Sequence, residues 1–179
     1  RFEQSFSNPV EVDSFGIRIH QKITSKLNVF GRFKHTPSSL DSATTAFPNQ
    51  TNFFSVETNL LTVGATYAAS SNLAFDVRGN YTEDSGDFLF TGQEIGGARI
   101  PDLGTLVPPF ASEGNVSVSV FFGSLINQTR GRSFGNGQRQ LNLVGSTTLL
   151  VGNHQLKFGG DYRRLRPKVH RPPIAPEEL

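Results

Sequence analysis

Hydrophobic and polar positions alternate with a period of two along several stretches of the chain. The clearest lies within Gln138–Pro167. There Leu141, Leu143, Gly145, Thr147 and Leu149 fall on one face, and Gln140, Asn142, Val144, Ser146 and Thr148 on the other. After the short polar turn Val151-Gly152-Asn153-His154, Leu156, Phe158, Gly160 and Tyr162 alternate with Gln155, Lys157, Gly159, Asp161 and Arg163. Side chains of a strand point alternately to opposite faces, so this pattern predicts a hairpin that is wet on one side and dry on the other.

The same unit occurs twice more. Phe15, Ile17 and Ile19 oppose Gly16, Arg18 and His20; past a turn at Lys22–Ser25, Leu27, Val29, Gly31 and Phe33 oppose Asn28, Phe30, Arg32 and Lys34. Further on, Leu61, Val63, Ala65 and Tyr67 oppose Thr58, Leu60, Thr62, Gly64 and Thr66, with Leu60 blurring the alternation. After a turn at Ala68–Asn72, Leu73, Phe75, Val77, Gly79 and Tyr81 oppose Ala74, Asp76, Arg78 and Asn80. The prediction is three hairpins, at residues 14–34, 54–81 and 139–164.

Residues 35–53 are rich in Ser, Thr, Asn and Pro and read as a long loop, with Thr36–Asn52 as its body. Residues 82–138 read as a longer one, punctuated at Gly96-Gly97, Pro101 and Pro108-Pro109, with two possible strands at Asp87–Phe90 and Val116–Phe122. Pro172-Pro173 and Pro176 argue against a helix or strand after Arg171. Short turns thus alternate with long connections, as in a meander that crosses a membrane with its long loops on one side. With the long loops uppermost, Phe15, Phe33, Tyr81 and Tyr162 stand on the dry face at upper strand ends, and Tyr67 at a lower end. A lipid interface selects aromatic rings at such places.

The opposite faces carry Arg18, His20, Asn28, Arg32, Lys34, Asp76, Arg78, Asn80, Gln140, Asn142, Lys157, Asp161 and Arg163. A charge facing lipid at the bilayer middle costs about 2–4 kcal/mol, so these side chains require water or one another. Asp76 with a neighbouring Arg, or Asp161 with Arg163, is the kind of charge pair expected there. The expected class is all-β: an antiparallel up-and-down meander of about six amphipathic strands, part of a transmembrane β-barrel with long outer loops.

Composition fits that picture. Hydrophobic residues are only 36% of 179, with 16 Phe and 18 Gly, which suits half-polar strands better than a helical bundle. No apolar run is long enough for a transmembrane helix, and no signal peptide is visible. The formal charge of +2 comes from one end, where Arg163, Arg164, Arg166, Lys168 and Arg171 supply five of the 17 basic residues. That concentration argues against a fold-wide nucleic-acid footprint. Zero cysteine excludes a disulfide scaffold and thiolate metal sites.

The segments GNHQLKFGGDYRRLRP and TRGRSFGNGQRQLNLVGSTTLL resemble the repeating hairpin of TonB-dependent outer-membrane receptors, nearest the Oar-like branch that carries a carboxypeptidase-regulatory-like domain. DSFGIRIHQKITSKLNVFGRFKHTPSS and NLAFDVRGNYTEDSG resemble other strand-turn-strand segments of the same barrel; Ser85–Asn115 is unmatched. The resemblance implies a Gram-negative outer membrane, a barrel of about 22 strands, and energised import of a nutrient. It also implies a plug domain and the TonB system as partners. Plug, TonB box and terminal strand are not recognisable here, so the expectation is an internal barrel piece with two unpaired edges.

No chemistry competes with this reading. His20, His35, His154 and His170 lack metal-ligand spacing to one another. Gly92, Gly96 and Gly97 form no phosphate loop, and no nucleophile elbow is present. The chain is expected to be no enzyme and to need no cofactor or metal, and its ligand-binding residues cannot be assigned from the pattern. The basic end is expected at the outer surface, where lipopolysaccharide phosphates can pair with Arg forks, or where it is a solvated loop base. The alternative to a barrel is a soluble or surface-attached β-sandwich that binds carbohydrate or protein, in which the dry face meets a second sheet.

Overall fold

A computed structural model describes residues 5, 7–43, 49–95, 97, 99–100, 116–122 and 126–170. The strands are β1 (Val10–Val12), β2 (Phe15–Lys22), β3 (Leu27–Ala43), β4 (Gln50–Ala68), β5 (Leu73–Gly92), β6 (Ser117–Phe122), β7 (Ile126–Val151) and β8 (His154–His170). All eight lie in one antiparallel sheet, in the order β1-β3-β4-β5-β7-β6, with β2 also on β3 and β8 also on β7.

The order reduces to six staves. β1 and β2 share one unbroken register along β3, from Val10↔Leu40 to Lys22↔Asn28. Their interruption at Asp13-Ser14 lies opposite Pro37, which accepts from the Asp13 amide at 3.0 Å and has no N–H to return. β6 continues the edge line of β8 higher up along β7. The up-and-down meander of about six strands therefore stands.

The lower turns are short, as the alternation predicts. Gly152-Asn153 alone links the paired residues Val151 and His154. Gly152 has φ 57, the conformation that a II′ hairpin turn demands at its first central residue. In the β2–β3 turn, Thr24 Oγ1 accepts from the amides of Lys26 and Leu27 at 3.1 and 3.0 Å.

The upper halves of the strands run further than the hydrophobic pattern predicts. β3 continues past Lys34 to Ala43, β4 begins at Gln50, β5 continues past Tyr81 to Gly92, and β7 begins at Ile126. Much of residues 35–53 and 82–138 is thus strand, not loop. Asp87–Phe90 is the top of β5, and β6 accounts for the possible strand at Val116–Phe122. Hydroxyl pairs join the ladder here, Thr51 to Thr91 at 2.7 Å and Ser119 to Thr129 at 2.9 Å. Backbone pairing does not need an apolar face, so strand persists where the hydrophobic alternation stops. Gly96, Pro101, Pro108-Pro109, Arg171, Pro172-Pro173 and Pro176 lie outside the described residues.

Register aligns the dry faces into a band. Its lower row is Leu27, Tyr67, Phe75, Thr147 and Phe158; its upper row includes Phe33, Leu61, Tyr81 and Leu141. The band is nine residues tall on β5 (Leu73–Tyr81) and eleven on β7 (Leu141–Val151), which matches the 9–11 residues of a tilted membrane-spanning strand. Tyr67 and Phe75 stack at its lower margin, ring centroids 6.4 Å apart. Nothing among the described residues covers it: Val77 is 55% exposed, Val63 52% and Tyr162 55%. A sandwich would need a second sheet against this face. All described strands belong to one, so the sandwich alternative is set aside.

Candidate functional site

Two surfaces of the wall carry polar or aromatic organisation beyond simple pairing. The first is the inner face at the level of the apolar band. There Thr62 Oγ1 donates to Asn80 Oδ1 at 2.9 Å, Asn80 Nδ2 to Asn142 Oδ1 at 3.1 Å, and Asn142 Nδ2 to Asp161 Oδ1 at 2.6 Å. One hydrogen-bonded chain crosses β4, β5, β7 and β8. Asn142 at its centre is only 7% exposed. A buried amide so placed loses two partners if truncated. Asn142→Ala is expected to cost about 1–3 kcal/mol, read by denaturant unfolding of the assembled barrel in detergent micelles.

Next to this chain, the Phe30 ring lies over Gly64 and leaves no room there for a Cβ. Arg18 sits 4.8 Å above the ring, Arg78 6.0 Å from it, and His20 stacks on it at 5.7 Å. Such cation–ring contacts hold guanidinium groups against the wall without burying their charge.

The second surface is the inner wall above the band, where polarity inverts. On the outer face the apolar rows end abruptly. The next outward row is His35, Asn59, Glu83, Arg139 and Arg166, one register line across five strands. Asn59 Oδ1 lies 2.9 Å from His35 Nδ1, and Arg139 binds Glu83 Oε1 through Nε at 2.8 Å and Nη2 at 2.7 Å. Higher still, Arg132 pairs with Asp87. The Glu83 hydrogen bond, then its charge, raises the Arg139 guanidinium above its ordinary pKa.

Among polar inward residues such as Ser38, Asp84 and Gln138, the inner side of the same strand halves gains apolar and aromatic ones. Leu40, Phe54, Val56, Phe88, Phe90, Leu165 and Val169 occupy inward register positions. Phe54 and Phe88 pack with ring centroids 4.2 Å apart, and Phe88 meets Phe90 edge-on at 4.6 Å. Phe54, Val56, Gly86, Asn136, Pro167 and Val169 line one concavity there. At its lower margin Thr58 donates to Asp84 at 2.8 Å. Phe53 and Leu89 are outward exceptions to the inversion.

The inner-face polar residues expected from the sequence share one face in the structure. Asp76 pairs with Arg78 as expected, at 3.2 Å. Asp161 does not pair with Arg163; its carboxylate accepts from Asn142 Nδ2, which reaches it diagonally across the β7–β8 ladder. The described His residues gather no metal set, and no metal-holding cluster occurs among the described residues. The aromatic upper wall was not assigned from the sequence. Its only sequence signal is the pair of Phe-rich runs at Phe53-Phe54 and Phe88–Phe90, in segments without hydrophobic alternation.

Comparison with known families gives one match: the family described as outer membrane beta barrel domain fits residues 1–172. No curated protein and no solved structure matches the chain.

Proposed function

From the premise that the chain belongs to the outer membrane beta barrel domain family, and so resides in the outer membrane, we propose that it is part of the wall of a TonB-dependent receptor of the Oar-like kind. In this reading the tall upper wall faces an incoming nutrient, which is imported at the expense of TonB-coupled energy. A plug domain fills the lumen against the inner polar face. The wall binds and guides; it carries out no catalytic step.

One observation supports a ligand-facing role above all. The strands continue well past the lipid-facing band, and their inner side becomes aromatic where the outer side becomes charged. A wall exposed to water on both sides has no solvation reason to place Phe54, Phe88 and Phe90 inward. Apolar, aromatic linings with a few polar groups are typical of sites that hold organic ligands. The TonB-dependent part of the reading rests on the sequence resemblance.

The test uses the full-length receptor in detergent, with the purified periplasmic domain of TonB titrated by calorimetry. Stoichiometric binding is the expected result. Absence of binding, with the barrel shown to be folded by its heat-modifiable gel mobility, would end the TonB-dependent reading and leave the barrel assignment in place.

A further inference from the structure

The basic run that ends β8 is not one patch. Strand alternation splits it, turning Arg163, Leu165 and Pro167 toward the lumen and Arg164, Arg166 and Lys168 outward. Register then brings a distant residue to the outward set. Arg166 stands directly opposite Arg139, Arg164 opposite Leu141 of the last apolar row, and Lys168 opposite Gly137. We propose that this outward ledge of β7 and β8 binds the phosphates of the outer-leaflet lipid, lipopolysaccharide.

Level is the first argument. The ledge begins at the row of Tyr81 and Leu141, and successive outward residues of a strand are about 7 Å apart, so Arg139, Arg164 and Arg166 stand in the headgroup layer of the bilayer that the band defines. The long-loop end of such a barrel is its extracellular end, which makes that layer the outer leaflet.

Charge is the second. Two arginines placed directly across a strand pair repel each other, and such pairs are destabilising unless an anion joins them. The carboxylates that β5 presents beside the ledge are Glu83 and Asp87, and both are engaged, with Arg139 and Arg132. No ion pair to Arg164, Arg166 or Lys168 occurs among the described residues. On the outward face of β5, β7 and β8 at this level, five cations (Arg132, Arg139, Arg164, Arg166 and Lys168) therefore share two carboxylates.

Shape and confinement are the third. Ser85, Gly137, Arg139, Arg166 and Lys168 line one concavity together with the Glu83 and Asp87 already paired to arginine, and Gly137 contributes no side chain to it. At the same level β3 and β4 present His35, Asn59 and Glu57. The cationic ledge is confined to one side of the sheet. Guanidinium forks match phosphate oxygens two at a time, and ammonium adds a point charge, so the chemistry suits a bisphosphorylated headgroup better than a zwitterionic one.

The inference rests on the seat of the barrel in the outer membrane and not on TonB coupling, so the two fail separately. The test is a titration of delipidated, detergent-held full-length protein with bisphosphorylated lipid A and with its dephosphorylated form. The bisphosphorylated form is expected to bind at least tenfold more tightly, and its binding to weaken steeply with added NaCl. In the variant Arg164→Gln/Arg166→Gln/Lys168→Gln that preference is expected to vanish, whereas Arg163→Gln, on the lumen side, retains it. Equal binding of both lipids, salt-independent binding, or an equal loss in Arg163→Gln would each overturn the proposal. Should the triple variant fail to assemble, the lipid comparison and salt series on the unaltered protein still decide.

Discussion

Val77→Arg is expected to destabilise the assembled barrel in a bilayer by about 2–4 kcal/mol. Val77 is 55% exposed and lies midway between the aromatic margins, in the register row of Val29, Ala65, Gly145 and Gly160. Its cross-strand neighbours Ala65 and Gly145 carry no polar group that could take the guanidinium. The cost is a solvation cost, so it should depend on depth and on face. Ser39→Arg, outward but above the charged row, is expected to cost no more than about 1 kcal/mol. Urea unfolding in phosphatidylcholine vesicles measures both. Equal effects at the two positions would mean that the dry face does not meet lipid.

The second large effect concerns the isolated 179-residue chain. It is expected to aggregate in detergent-free buffer and to become monodisperse only in micelles. Two features act together. The uncovered band includes Val63, Val77, Leu143, Phe158 and Tyr162, each between 46% and 62% exposed, and large exposed apolar patches drive association in water. The two outer lines of the sheet, β1–β2 on one side and β8–β6 on the other, leave backbone donors and acceptors open to pairing with another copy. Light scattering with and without detergent checks this. A compact, soluble monomer would contradict the lipid-facing assignment of the band.

Much of this architecture was legible in the residues. The dry positions from Leu27 to Phe33 and from Leu141 to Leu149 announce their face, because a strand with one dry side places apolar residues at every second position. Gly152-Asn153 announces its turn. The upper wall was not legible, and for a definite reason. In Glu83–Asp87 or Thr36–Ser39 both faces are polar or small, so pairing leaves no hydrophobic period to read. The backbone ladder holds these segments together, and it is blind to side-chain type. Of the two charge pairs the sequence offers, the structure forms Asp76 with Arg78, and Asp161 takes a different partner. Arg163 is its neighbour in sequence and shares its inner face, but Asn142 reaches the carboxylate across the β7–β8 ladder at 2.6 Å.

The sequence by itself determined a two-faced meander, its short lower turns and the lipid-facing height of its strands. These follow from local alternation and turn chemistry, which act between residues a few positions apart. Only the tertiary structure decided where polarity inverts, how Phe54 comes to lie against Phe88, and that Arg139 stands opposite Arg166. Those are facts of register between strands far apart in the chain, set by the whole ladder and by the solvent on each side of it. The Arg-rich run of β8 shows the division plainly. Sequence reads one basic tail, and strand geometry makes of it a lumen-facing Arg163 and an outward ledge.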